Sequence, residues 1–155
     1  MNSKKKISLS SILTPSCTLN NVHCTSKKRA LEIISEVAAI ALNIPENIIF
    51  DSLLIREKVG TTGIGGGIAI PHGKLNENNS SNAVGVFLHL DEPIAIDAID
   101  NQPVDLLFAL LVPSEQCKTH LHTLSLIAKR LADKSLCRRL RIAQSNEELY
   151  KIITE

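Results

Sequence analysis

The sequence predicts an α/β protein, a three-layer α/β/α sandwich around a mixed sheet, from three observations. Val104 to Val112 (VDLLFALLV) is almost wholly apolar over the length of one strand, the pattern of a sheet centre covered on both faces. Apolar residues recur at helical spacing before and after the strand-like segments, as in Leu31, Ile34, Ala38 and Ala41. The blocks follow one another as β-α-α-β-β-β-α-α-α, which supplies helices to cover both faces of such a sheet.

In chain order, the first ten residues (MNSKKKISLS) read as a flexible, solvated tail, and residues 11–155 as one domain. Cys17 to Cys24 is a candidate first strand. Ser26 is an N-cap for a helix to about Leu42, and Pro45 opens a second helix that Gly60 ends as a C-terminal cap. Ile68-Ala69-Ile70 is a short strand that stops at Pro71, which has no N–H to extend a ladder. Lys74 to Asn82 reads as a polar loop. Val84 to Leu90 and Val104 to Val112 are strands, with Ile94 to Ile96 as a short edge piece between them. Helices follow over about 114–132, over 134–143, and from the capping box at Ser145–Glu148 to Ile153.

Composition narrows the function classes. A chain of 155 residues fits one domain, and a domain of that size buries roughly 70% of its unfolded surface. With 3% aromatic residues its core must be aliphatic. A formal net charge of +1 gives no electrostatic case for nucleic acid or an anionic membrane, and no apolar run approaches a membrane span. The segment after Lys4-Lys5-Lys6 is too short and too serine-rich for a signal peptide, so a cytoplasmic location is expected. Cys17, Cys24, Cys117 and Cys137 lack C-x-x-C spacing and read as reduced, structural residues.

The chemistry concentrates in Gly63 to Gly73, GIGGGIAIPHG. The glycines permit a tight path with exposed N–H groups suited to an anion, and His72 follows a rigid proline. A dinucleotide fingerprint or a P-loop placed here would need glycine where Ile68 stands, so a bound nucleotide is not supported and no cofactor is expected. A neutral imidazole beside an anion-friendly loop suggests phosphoryl chemistry on His72; the competing reading is a surface histidine closing a strand. Arg56, at the end of the helix leading into the loop, is the candidate cation, against an ordinary surface ion pair with Asp51 or Glu57. His120 and His122 lie about 200° apart on a helix. His120 shares its side with Leu124 and Ile127 and is the candidate partner of His72, against a half-buried structural histidine. No metal site is expected, since H-E-x-x-H and cysteine pairs are missing and the helix splits His120 from His122. No G-x-S-x-G supports a serine hydrolase.

Glu57 through Gly73, EKVGTTGIGGGIAIPHG, resembles the phosphorylation-site signature of the fructose/mannitol/nitrogen class of enzyme IIA proteins of the bacterial phosphotransferase system. The stretches 26–34, 98–113, 118–134 and 137–154 look like the nitrogen-regulatory type, so that the likeness covers nearly all of the chain after the tail. The resemblance implies an enzyme IIA type-2 domain over 11–155 in which His72 receives a phosphoryl group from an HPr-type phosphocarrier. It implies support from His120 and Arg56, with Thr61, Thr62 and Gly65 as weaker contacts to the phosphoryl group. It further implies regulated targets such as kinases or potassium transporters, in nitrogen, carbon and potassium homeostasis. Two alternatives stay open: an enzyme IIA passing phosphate to the IIB domain of a fructose or mannitol permease, and a binding module that is never phosphorylated. The Asn/Ser-rich segment 74–82 follows the family pattern least.

Overall fold

The computed structural model describes residues 8–76, 83–113 and 117–155, with the side chains of 117–119 outside the description. Most of the expected tail, residues 77–82 of the expected loop and the start of the 114–132 helix therefore lie outside the described residues. The element order is β1 (Thr18–Val22), α1 (Lys27–Leu42), α2 (Glu46–Val59), β2 (Gly63–Gly65), β3 (Ile68–Ala69), β4 (His72–Leu75), β5 (Val84–Ile94), β6 (Val104–Pro113), α3 (Cys117–Leu131), α4 (Lys134–Arg141) and α5 (Asn146–Thr154). The fold is α/β with a mixed sheet, as expected, but β2 and β4 are strands that the sequence reading did not include. Short 3-10 turns at Leu9–Ser11 and Pro15–Cys17 precede β1, and Leu9 packs into the core inside the stretch expected as tail.

The sheet runs β1-β5-β6-β3-β2, with β4 also pairing with β6. β5 and β6 are antiparallel; β3 and β4 both run parallel to β6. The apolar run that marked β6 as central does lie at the centre: every residue from Leu106 to Val112 is buried. Phe87 and Phe108, directly paired across β5 and β6, stack with centroids 5.5 Å apart. Ile94 closes β5 after an irregularity, and no separate 94–96 strand forms.

Helix starts follow the cap signals. Ser26 Oγ accepts from the Arg29 N–H, and Ser145 Oγ from the Glu148 N–H. Gly60 ends α2 differently from expectation. Its φ of 169° is extended backbone rather than a left-handed cap. The Arg56 guanidinium instead reaches the Gly60 carbonyl, Nη1 to O at 2.7 Å.

Two departures bear on function. β3 ends before Pro71, as expected, but a new strand, β4, opens directly after it. Ile68 pairs with Leu106 and His72 with Leu110, so the chain resumes on β6 in unbroken register. The glycine run, in turn, is a hairpin between β2 and β3, with Gly65, Gly66 and Gly67 at φ of 98°, 67° and 82°. Its turn sits against the start of β6, where the Gly67 carbonyl accepts from the Asp105 and Leu106 N–H groups. His72 lies opposite Leu110, about 16 Å further along β6 at ~3.3 Å per residue. The glycine amides are thus at the wrong end of the strand to hold a group on His72.

Candidate functional site

His72 opens β4, and its ring is fixed from two sides. Nδ1–H donates to the Ile70 carbonyl at 2.9 Å, and the Arg56 Nε–H donates to Nε2 at 3.2 Å. A carbonyl oxygen only accepts and a guanidinium N–H only donates, so the tautomer follows. Nδ1 carries the proton, and Nε2 presents its lone pair. Burial holds the ring below its ordinary pKa of 6.5, and the charge of Arg56 acts in the same direction against the bond to Ile70. The ring is neutral at pH 7.

The placement of Arg56 depends on how closely α2 approaches β4. A Cβ on Gly73 would lie 2.2 Å from Ser52 Oγ, so only glycine permits this spacing. Ser52 Oγ–H donates to the Lys74 carbonyl at 2.9 Å, pinning the helix to the strand one turn before Arg56. Glu57, the next residue, is buried. Its carboxylate accepts from the Thr62 N–H at 3.1 Å and the Thr62 hydroxyl at 2.7 Å, and pairs with Lys27 Nζ at 2.9 Å. The Thr62 carbonyl accepts from the Ile70 N–H, so the clamp is joined through one backbone bond to the residue that orients His72.

Arg56, His72 and His120 line one cavity of about 430 Å³. Lys74 also lines it, as do Ile55, Val59, Leu121 and Leu124. Burial lowers the pKa of His120 as well. His122 is exposed on the other side of α3, as the helical spacing requires. The three weaker candidates are placed elsewhere. The Thr61 hydroxyl donates to the Ile96 carbonyl, Thr62 is committed to Glu57, and Gly65 lines a separate cavity beside α4. Sequence reasoning missed Ser52, Glu57 and Lys74. Glycine directly after the histidine was the signal for a close helix contact, but not for its partner.

Among the described residues, no three of His, Cys, Asp and Glu cluster as a metal-ligand set, and no helix is long and apolar enough to cross a membrane. What the cavity offers is one nucleophilic nitrogen, two nearby cationic side chains and an apolar rim, on a mixed α/β sheet. These are the features of a phosphotransferase-system IIA domain, and the chain belongs to the family described as phosphoenolpyruvate-dependent sugar phosphotransferase system, EIIA 2, whose model matches residues 11–155.

Within that family the chain is 67% identical over 154 residues to the nitrogen regulatory protein of Escherichia coli (strain K12), covering 99% of this chain and 94% of that protein. The crystal structure of nitrogen regulatory protein IIA-Ntr from Neisseria meningitidis superposes with a TM-score of 0.87 at 36% identity, over 94% of this chain and 99% of that one. IIA mannitol from Escherichia coli shares the fold at a TM-score of 0.71 and 19% identity, over 96% and 99% of the two chains.

Proposed function

We propose that this chain is a regulatory phosphocarrier: His72 Nε2 accepts a phosphoryl group from an HPr-type phosphohistidine carrier, and the phosphorylation state controls partner proteins. The observation that carries this reading is the fixed tautomer, which leaves one lone pair facing a cavity rimmed by exposed Ile55, Val59 and Leu121. That rim suits an apolar face of a protein donor better than a free sugar, which would need more polar partners.

In the transfer, the Nε2 electron pair forms the new N–P bond as the donor's N–P bond breaks and its electron pair returns to the donor ring. The Nδ1 proton stays in its bond to Ile70, where the carbonyl shares the positive charge the ring acquires. Arg56 leaves Nε2 and turns to the phosphoryl oxygens, a charge-assisted contact worth about 1.5–3 kcal/mol. Lys74 adds positive charge, neutral His120 offers a ring N–H to a phosphoryl oxygen, and alignment does the rest. Arrival of roughly −1.5 to −2 charge at the rim then changes which surfaces dock there.

Incubation with phosphoenolpyruvate, enzyme I and the carrier, followed by intact-mass measurement, tests the reading. The chain should gain one phosphoryl group, and His72→Ala should gain none. His120→Ala should slow transfer far more than His122→Ala. Full labelling of His72→Ala would overturn the assignment. The high identity to nitrogen regulatory proteins favours the regulatory output over passage of phosphate to a IIB domain. Sugar phosphorylation on adding a IIB partner would reverse that preference.

A further inference from the structure

A second cavity, of about 420 Å³, lies between α4 and the β2–β3 hairpin, some 16 Å along the sheet from His72. Its floor is apolar, from Ile64, Ile68 and Leu131, and its wall carries Lys134, Arg138 and Arg141. These three stand at i, i+4 and i+7, one face of α4.

Arg141 is fixed in place. Its Nε donates to Asp105 at 2.9 and 3.1 Å, and its Nη2 to Asp105 at 2.9 Å and to the Gly66 carbonyl at 2.9 Å. The hairpin makes room for it: a Cβ on Gly67 would lie 2.6 Å from Arg141 Nη2. Asp105 balances Arg141, which leaves the charges of Lys134 and Arg138. No carboxylate pairs with either among the described residues, whereas the neighbouring Arg139 is spent on Glu155. Asp133 is occupied in capping α4, and Asp100 in bonds to the Gly66 and Gln102 N–H groups. The helix dipole favours Arg138 in the last turn but opposes Lys134 in the first, so helix stability does not account for the set.

We propose that this cavity binds a small organic dianion, with Lys134 and Arg138 meeting its charges and the apolar floor taking its carbon body. Two like charges held on one face are relieved by a ligand of opposite charge. The immobilised guanidinium of Arg141 and the glycine turn give that ligand a preformed edge. The site is independent of phosphorylation at His72 and stands if that assignment falls.

Calorimetric titration at low salt with inorganic phosphate, glycerol 3-phosphate and succinate tests it, with amide chemical shifts to locate the contact. Saturable binding of glycerol 3-phosphate or succinate, tighter than that of inorganic phosphate, is expected, with shifts at Gly65 to Ile68 and a tenfold or greater loss of affinity in the double variant Lys134→Gln, Arg138→Gln. Both side chains are exposed, so that variant keeps its fold, checked by an unchanged Tm. No saturable binding of either organic probe, binding of inorganic phosphate alone, equal affinity in the double variant, or shifts confined to the His72 cavity would each overturn the proposal.

Discussion

Glu57 is buried beside the Arg56–His72 pair without a hydrogen bond to either, and its three contacts make it the residue on which their geometry leans. Removing the carboxylate strands the Thr62 N–H and hydroxyl in the interior and frees Lys27, which is partly exposed and can return to water. Glu57→Ala should therefore lower the unfolding free energy by about 2–3 kcal/mol, read by urea denaturation. A loss within experimental error would show that the clamp is dispensable. At this scale the sequence was informative about chemistry and silent about support. His72, Arg56 and His120, singled out by residue type and position, line one cavity. Ser52 was missed, because its meaning depends on Gly73, twenty-one residues on, approaching within van der Waals range. Thr61, Thr62 and Gly65 drew attention by nearness in sequence to His72, and their hydrogen bonds and place in the sheet turn them elsewhere.

The β2–β3 hairpin shows why strand connections are harder to read than helices. Five glycine-rich residues look alike whether they cradle an anion or turn a chain. Only pairing with β6 decides, and that partner is about forty residues away. The same long-range partner lets the chain pass Pro71 and resume at His72, where local rules predicted a stop. Helices were legible because their caps are local: Ser26 and Ser145 both bond within three residues. Gly67→Ala probes the hairpin directly. At a φ of 82°, and with Arg141 locked at 2.6 Å, the added methyl should cost about 1–3 kcal/mol, seen as a lowered Tm. Because the turn is remote from His72, the folded fraction of that variant should still accept phosphate at the normal rate.

Across the whole molecule, three histidines, His72, His89 and His120, are held below their ordinary pKa by burial. Once these rings are exposed by unfolding they bind protons near pH 6.5, while the folded chain resists doing so. Stability is therefore full above that pH and declines as pH falls below it. Each ring binds at most one extra proton on unfolding, so its share stays under about 1.4 kcal/mol per pH unit, and solvent screening lowers it further. Denaturant unfolding at pH 8, 7, 6 and 5 should give a plateau and then a fall. A curve flat to pH 5 would show the rings to be less shielded than their packing implies. The fold class was legible at this scale because it rests on the largest signals, a continuous apolar strand and periodic helices. Strand number was not, since β2 and β4 exist only as partners of other strands. The hydrogen bond from Arg56 to His72 reaches furthest of all. With its lone pair already engaged, the ring gives little opening to a stray donor such as acetyl phosphate. Under the proposed phosphocarrier role, a protein pressing on Ile55, Val59 and Leu121 would bring the binding free energy to dislodge the arginine. On that proposal, fidelity in receiving the signal would come from a bolt that only a correctly shaped visitor can draw.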